Sequence, residues 1–483
     1  MEATITKKEN WSICLECSGQ GKILRRPSKR RLRLYQERMK IFEASGNVGE
    51  SPKPLESNMD ICPQCIGSGL LSSKKITPVD EENYPHIAIV GGGIGGVALA
   101  VACLHRGIPF TLYERDQNFD ARSQGYGLTL QQASKAIEGL GIFSLEKGLT
   151  STIHIVHDSS GKIIGEWGLR KWKVPFLEKT SRRKNIHIAR QSLRSALLEQ
   201  LDGRKPLQWG HALIDCSKNT KEGINLTFEV GGEKRSIQAD LVVGADGIRS
   251  CIREQIIGEG RTPLQYLGCI VILGICPLHS LDTIQSTLLD SNTVFQTVNG
   301  HERIYVMPYD KDTVMWQLSF PMSEIDAKKL SKSGPGAMKK ESLRRLQKWH
   351  SPVPQILGAT LESKITGYPV YDREVLNSTL LHEEGVTLIG DAAHPMSPFK
   401  GQGANQAILD ALSLARMIST HCGPGSNWRE RGLRKCVLNE FEREMIGRTT
   451  NKVEGSAKAA KLLHSDAVLH KGDTPRGRGI DES

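Results

Sequence analysis

The sequence predicts an α/β fold in which a parallel sheet is interleaved with an antiparallel-sheet layer, preceded by a small cysteine module. Three observations predict it. Near residue 85 a short apolar strand runs into a glycine-rich loop, a helix and a second strand, which is a βαβ opening. Two later apolar strands, in "ADLVVGADG" (Ala239 to Gly247) and "GVTLIGDAAH" (Gly385 to His394), each run into a polar turn. Between them, alternating stretches such as "IYVMPYDKDTVMWQLSFPM" read as antiparallel strands.

The chain of 483 residues suggests two to four domains at roughly 150 residues each. Hydrophobic residues make up 38% and charged residues 24%, enough apolar material for a large core and too much for wholesale disorder. The longest apolar stretch, Gly268 to Cys276, has nine residues, whereas a spanning helix needs about 20. The opening MEATITKKEN has neither the apolar core of a secretory signal nor the Arg-rich character of a transit peptide. These features read as a soluble, cytoplasmic protein without a transmembrane segment. The net charge of +11 is uneven: residues 1–77 carry 14 Lys+Arg against 8 Asp+Glu. The basicity belongs mostly to the N-terminal part.

Residues 1–77 form the first unit. "CLECSGQG" begins at Cys14 and "CPQCIGSG" at Cys62, so both obey CxxCxGxG. Two such knuckles supply four thiolates, Cys14, Cys17, Cys62 and Cys65, and four thiolates satisfy tetrahedral Zn²⁺. The glycines permit the tight turn in which backbone amides point at sulfur. The 44 residues between Cys17 and Cys62 are tolerable because closure entropy grows only logarithmically with loop length. A degenerate or redox-active pair is the competing reading. The other seven cysteines are scattered and read as buried hydrophobes of a reduced protein.

The insertion Lys22 to Lys40 carries nine basic residues and one acid. It is a solvated helix, a loop packed on an acidic surface, or a contact for RNA, DNA or another polyanion. No aromatic stacking platform or reader motif accompanies it.

The second unit spans 85–470. In "VGGGIGGVALA", Gly91, Gly93 and Gly96 stand in GxGxxG register after a strand and at the start of a helix. The first glycine makes the turn, the second lets backbone approach a pyrophosphate, and the third permits close helix–strand packing. The helix N-terminus stabilises the anion. Glu114 ends the next strand, 23 residues after Gly91, where an acid can bind adenosine ribose hydroxyls. This is a Rossmann-like fingerprint, and it does not separate NAD from FAD. A sheet layer at about 262–372 and a disordered tail at 471–483 complete the predicted organisation.

Two later motifs, "ADGIRSCIR" (Ala245 to Arg253) and "GDAAHPMSPFKGQGANQAILDA" (Gly390 to Ala411), resemble the DG and GD motifs of single-component flavoprotein monooxygenases of the para-hydroxybenzoate hydroxylase type. "YVMPYDKDTVMWQLSFP" and "VEGSAKAAKLLHS" are also similar to stretches of that family. The resemblance covers about residues 85–470. It implies a Rossmann-like FAD-binding domain interleaved with an antiparallel-sheet substrate domain. By the same resemblance Asp391 holds a ribitol hydroxyl, and Pro398 lies beside the flavin ring. Gly401, Gly403, Ala404 and Asn405 open a helix whose free amides meet the flavin's pyrimidine edge. Glu114 and Arg115 match the acid–Arg pair at the adenosine end. Arg122 and Arg190 match arginines that contact FAD or lie where NAD(P)H approaches. Asp246 matches a position near the pyrophosphate. His394 orders its turn.

The implied reaction uses NAD(P)H, FAD and O₂, with a flavin hydroperoxide hydroxylating a small aromatic or polycyclic organic substrate. No catalytic acid or base is assigned, and the oligomeric state is left open. Tyr305, Met307, Trp316 and Gln317 alternate and are candidates for the pocket lining. The cysteine module resembles the cysteine-rich region of DnaJ-type chaperones, with two repeats instead of four and no J-domain; that resemblance transfers the metal and not the activity. The alternative function is a zinc- and polyanion-binding adaptor whose flavoprotein body senses redox state or scaffolds.

Overall fold

The structure is a computed structural model that describes residues 10–24, 28–46, 51–52, 59–121, 125–171, 185–201, 206–219, 223–258 and 260–476. Arg122 lies outside the described residues, as do residues 25–27 of the basic insertion. The chain divides into two compact units, 1–78 and 79–483.

The first unit is built on two short ribbons. Asn10–Ile13 pairs antiparallel with Leu70–Ser73, and Lys22–Leu24 pairs antiparallel with Met59–Ile61. Each knuckle therefore leaves one ribbon and enters the other, which brings residues 48 apart in sequence side by side. The basic insertion forms a helix, Lys29–Ala44, capped by the Ser28 hydroxyl, which accepts from the Arg31 N–H. None of its residues is buried. With six Lys/Arg in 16 residues it is a solvated helix attached to the cysteine framework.

The second unit centres on a five-stranded parallel sheet. Its spatial order is Leu207–Trp209, Phe110–Glu114, Ile87–Val90, Leu241–Gly244, Val386–Leu388. The first strand in sequence thus lies in the middle, and the order reverses between it and Leu241–Gly244. That reversal is a switch point of the kind where doubly wound sheets bind ligands. Helices Ile94–Leu104 and Gly403–His421 pack together against the sheet. Nine of the 11 residues of the first are buried, because glycines and alanines let it lie close.

The second layer is a seven-stranded sheet, predominantly antiparallel. Gln265–Pro277, Thr293–Val298, Arg303–Pro308, Thr313–Pro321 and Ile365–Asp372 come from the stretch expected to form it. Two strands do not. Ile153–Asp158 joins in parallel with Thr293–Val298, and Ile163–Trp167 extends the edge by a hairpin. The layer is therefore not confined to 262–372. The hairpin they form joins the sheet through a pairing across 140 residues, Ile153 to Thr293, and no local pattern marks that.

The tail also departs from expectation. Residues 471–483 read as disordered, yet the described part, through Arg476, is fixed. Arg476 is buried, and its guanidinium donates to the backbone oxygens of Ile164 and Gly472. Asp473 accepts from the Glu166 N–H and from Lys171. A polar sequence is held here by backbone acceptors that composition cannot reveal.

Candidate functional site

The C-terminal ends of the central parallel strands open into one cavity of about 1360 Å³. Ordinary ligand pockets hold about 300–1,000 Å³, so this cavity accommodates more than one small molecule. The glycine loop forms one edge. Gly91 adopts φ +110°, and a Cβ there would collide with the Ala245 carbonyl. A Cβ on Gly96 would collide with the Gly91 carbonyl. A Cβ on Gly93 would meet nothing within 4 Å, because Gly93 faces the cavity. Helix Ile94–Leu104 starts at Gly93 without a side-chain cap, so its first N–H groups remain available.

Glu114 is buried behind this loop and not in the cavity wall. Its carboxylate accepts from the Gly92 N–H at 2.8 Å and from the Asp116 N–H at 3.0 Å. Arg194 clamps the same loop by donating Nε to the Gly92 carbonyl at 2.7 Å. Sequence reasoning missed Arg194; its mid-helix position reads as surface, and nothing local signals the loop it grips. Arg115 lines the cavity.

The DG motif supplies Asp246. One carboxylate oxygen caps helix Cys251–Ile257, accepting from the Cys251 N–H at 2.8 Å, and the other, Oδ1, is buried without a partner. Burial raises its carboxyl above the usual range. Arg253, from the same motif, is buried and reaches the GD turn, donating to the Ala392 and Ala393 carbonyls at 2.9 and 2.7 Å. The two motifs are thus one assembly, a role for Arg253 that the sequence did not disclose.

Asp391 opens to the cavity. Its deep position raises its carboxyl, and the nearby Arg190 guanidinium opposes that rise. A Cβ on Gly403 would lie 3.4 Å from its Oδ1, so carboxylate and helix start sit side by side. Helix Gly403–His421 also begins without a side-chain cap. Pro398, Gly401, Gly403 and Ala404 line the cavity, whereas Asn405 is fully buried behind it. The Asn405 side chain accepts from the Gln131 and Ala133 N–H groups and donates to the Thr129 and Gly401 carbonyls. It positions the loops and has no donor left for a ligand. His394 orders the turn through Asp410 at 2.6 Å, and Asp410 also accepts from the Gly390 N–H and Arg448.

The seven-stranded sheet closes the opposite wall. Tyr305, Met307 and Gln317 line the cavity, with Met315 and Arg303. Trp316 does not. It points to the other face, fully buried, and donates Nε1–H to Thr360. Adjacent residues of one strand face opposite sides, so Trp316 and Gln317 cannot share a wall.

Residues 85–428 match the family model described as the FAD binding domain, which is more than half the chain. This chain belongs to the FAD-binding monooxygenases of the para-hydroxybenzoate-hydroxylase-like family. Among similar proteins is the aurachin C monooxygenase/isomerase of Stigmatella aurantiaca, 29% identical over 361 residues, covering 74% of this chain and 86% of that protein. Another is the 6-hydroxynicotinate 3-monooxygenase of Pseudomonas fluorescens, 24% identical over 401 residues, covering 81% and 93%. HpxO of Klebsiella pneumoniae, complexed with FAD and uric acid, shares the fold with a TM-score of 0.64 at 21% identity, covering 80% of this chain and 90% of that one. The 2,6-dihydroxypyridine-3-hydroxylase of Arthrobacter nicotinovorans does so with a TM-score of 0.63 at 18% identity, covering 81% and 94%. For this FAD-binding monooxygenase, the uncapped helix starts, the open face of Gly93 and the unpartnered Asp246 oxygen fit a dinucleotide with hydroxyls along its chain.

The first unit holds a separate cluster. The sulfurs of Cys14, Cys17, Cys62 and Cys65 all lie within 4.8 Å of one another, with Cys14–Cys62 at 3.9 Å and Cys17–Cys65 at 3.7 Å. Four sulfurs at about 2.3 Å from a tetrahedral ion would stand just under 4 Å apart. The Gly21 N–H donates to the Cys17 sulfur and the Gly69 N–H to the Cys65 sulfur, both at 3.2 Å. Burial raises the Cys65 thiol, but hydrogen bonds from the Gly69 and Gly67 amides and from the Cys62 and Cys17 thiols together bring it down to about 7. Among the described residues, no helix is long and apolar enough to cross a membrane.

Proposed function

We propose that this protein uses NAD(P)H and O₂ to hydroxylate a small aromatic or polycyclic organic substrate, and carries Zn²⁺ on its four N-terminal cysteines. The observation that carries the reading is one cavity joining three glycine-rich or acidic turns of the parallel sheet to a wall of the second sheet. Relatives named for aromatic substrates, 6-hydroxynicotinate and 3-amino-4-hydroxybenzoate, support the substrate class. Four mutually close sulfurs, two with amide donors, support the metal. A reducing cytoplasm suits those thiolates.

Bound FAD would supply the redox chemistry, taking a hydride from NAD(P)H and activating O₂. This chain's residues then hold and shield. Gly91, Gly93 and Gly96 admit the pyrophosphate to the helix start at Ile94. Glu114 braces that loop at the adenosine end, with Arg115 beside it. Asp246 offers its free oxygen near the pyrophosphate. Asp391 accepts from a ribitol hydroxyl, and the amides of Gly403 and Ala404 at the helix start face the pyrimidine edge, while Gly401, whose own N–H is donated to the Pro398 carbonyl, turns the chain and Asn405 holds it from behind. Their positive potential favours an electron-rich ring. Pro398 packs on the ring, and Arg190 and Arg122 serve the FAD or NAD(P)H side. The sheet wall of Tyr305, Met307 and Gln317 positions the substrate and keeps water out.

The test is the purified full chain. It should be yellow, hold about one FAD, and consume NAD(P)H faster when an aromatic substrate is added. Asp391→Ala should weaken FAD about 10- to 100-fold, since a hydrogen bond to a charged group contributes about 1.5–3 kcal/mol. Unchanged flavin retention on dilution would remove Asp391 from the site. The exposed basic helix Lys29–Ala44 favours a second reading, the zinc-dependent polyanion adaptor with a redox-sensing or scaffolding body. A colourless protein that retains nucleic acid would select it.

A further inference from the structure

One part of the cavity wall has no place in the flavin assignments. His154, Trp167 and His187 all line it, from strands Ile153–Asp158, Ile163–Trp167 and Ile186–Ala189. The His154 ring stacks on Trp167 with centroids 5.3 Å apart and planes 7° apart. His187 lies 6.5 Å from His154, tilted by 53°. Each imidazole spends one nitrogen on a hydroxyl: His154 Nε2 on Ser151 at 3.2 Å, and His187 Nδ1 on Thr129 at 2.9 Å. The other nitrogen of His187, Nε2, is buried and has no partner. Burial holds both rings neutral, pushing His154 down to about 4 and His187 to about 3, with His154 the charged-state neighbour that lowers His187 further. No acid contributes at either ring.

An unpaired nitrogen in a neutral, aromatic wall has a definite complement. A neutral imidazole keeps one donor and one acceptor, and leaving one unmet inside a protein is costly. A ligand group that meets it recovers that cost. A stacked imidazole–indole pair offers a flat face to a second flat ring. A carboxylate placed here would be a desolvated anion without a cation among these groups.

We infer that His154, Trp167 and His187 form a subsite for an uncharged, fused or second aromatic ring of the substrate, with His187 Nε2 hydrogen-bonding a hydroxyl or ring heteroatom on it. The inference rests on the monooxygenase reading and deepens it: the substrate is an extended, neutral hydroxyaromatic, larger than a single ring. His187 is the specificity residue, and Thr129 positions it by fixing Nδ1.

The experiment uses the full-length, FAD-loaded protein and equilibrium binding of two probes, 2-naphthol and 2-naphthoate, followed by quenching of tryptophan fluorescence. Flavin content and thermal midpoint are recorded for every variant. Naphthol should bind more tightly than naphthoate. His187→Phe should weaken naphthol about tenfold, the equivalent of about 1.4 kcal/mol, and leave naphthoate unchanged. Trp167→Leu should weaken naphthol without altering flavin content. Thr129→Val should weaken it in part, by freeing the ring to turn. If His187→Phe fails to fold, the Thr129 and Trp167 variants decide. Equal naphthol affinity in parent and variants, or no naphthol binding to the parent, overturns the subsite and makes the cluster a packing feature. A parent that holds no FAD instead overturns the monooxygenase reading, a failure the flavin content registers independently.

Discussion

The two units place backbone N–H groups at glycine-rich turns, but only one completes them from within. In the cysteine unit, Gly21 and Gly69 already donate to Cys17 and Cys65 sulfurs, and each knuckle is eight residues long. In the larger unit, helices starting at Gly93 and Gln402 leave their first N–H groups without a side-chain cap. The cysteine site is a closed shell whose glycine amides are already spent on its own sulfurs. The cavity is an open shell whose helix starts keep their N–H groups for a ligand, and its turns are kept in register by distant braces. Arg253 reaches across 139 residues to Ala392, and Arg194 across 102 to Gly92. Local repetition therefore suffices for the first site, and long-range assembly is needed for the second.

The largest expected effect separates the two directly. Among its described residues the cysteine unit has short ribbons, one exposed helix and a small buried cluster made of the four cysteines, with Ile23 and Leu71 packed against them. Binding of structural zinc is folding free energy in such units, about 10–16 kcal/mol in apparent terms. A strong chelator, or Cys62→Ser, should unfold residues 10–73 and leave FAD bound to the rest. Hydrogen exchange resolved by peptide checks it: protection should vanish in the knuckles and persist in Ile87–Val90. Loss of protection in both units together would mean that the second unit depends on the first.

A second contrast is acid sensitivity. The first 78 residues contain no histidine. The larger unit holds four neutral ones, the buried His157 and His187 and the half-buried His154 and His464, with His154, His157 and His464 pushed down to about 4 and His187 to about 3. Burial disfavours their protonated forms, so the folded chain refuses protons that the unfolded chain accepts near 6.5. Between pH 6.5 and about 4 the unfolded state binds more protons, and stability falls as pH falls. Each such histidine costs up to about 1.4 kcal/mol per pH unit in that window. The thermal midpoint of the larger unit should therefore drop steadily from pH 6.5 towards 4. His157→Phe, on the same strand as His154 but with its ring against Phe295 and His350, should flatten that slope. An unchanged slope would mean that other groups carry the acid response.

What the sequence made legible follows the same divide. The parallel-sheet fold, the glycine loop, Asp391 and the four cysteines are each encoded within a few residues, and all could be named beforehand. Asp410 could not: it joins the His394 ring, the Gly390 amide and Arg448, and only the folded chain brings these together. The strands Ile153–Asp158 and Ile163–Trp167 were invisible as part of the large sheet, because the hairpin they form joins it only through Ile153–Asp158, whose partner strand begins at Thr293. Asn405 was read as part of a ligand-facing helix start, yet its side chain is fully used by loop backbone. Arg476 sat in a stretch whose composition argues for disorder, and its acceptor Ile164 lies 312 residues away. A motif names a ligand-facing turn, but it does not name the residue that holds the turn from behind.

The smallest expected effects test whether the open and closed shells respond differently to a single methyl. Gly93 has φ −73°, which any residue adopts, and its Cβ would enter open space. Gly93→Ala should therefore change stability by no more than about 0.5 kcal/mol, the range of substitutions that disturb no packing. Yet that methyl would occupy the place where backbone approaches a pyrophosphate, so FAD affinity should fall while the thermal midpoint of the flavin-free protein stays put. Gly21 is the opposite case. At φ +73° an alanine is strained by roughly 1 kcal/mol, but its N–H still points at Cys17. Gly21→Ala should lower the stability of the cysteine unit slightly and keep one metal ion per chain by elemental analysis. The two substitutions add the same atom. In the open shell it costs ligand and not fold, and in the closed shell it costs fold and not ligand. If Gly93→Ala binds FAD as the parent does, the glycine loop does not face the pyrophosphate, and the contrast between the two shells fails at its open end.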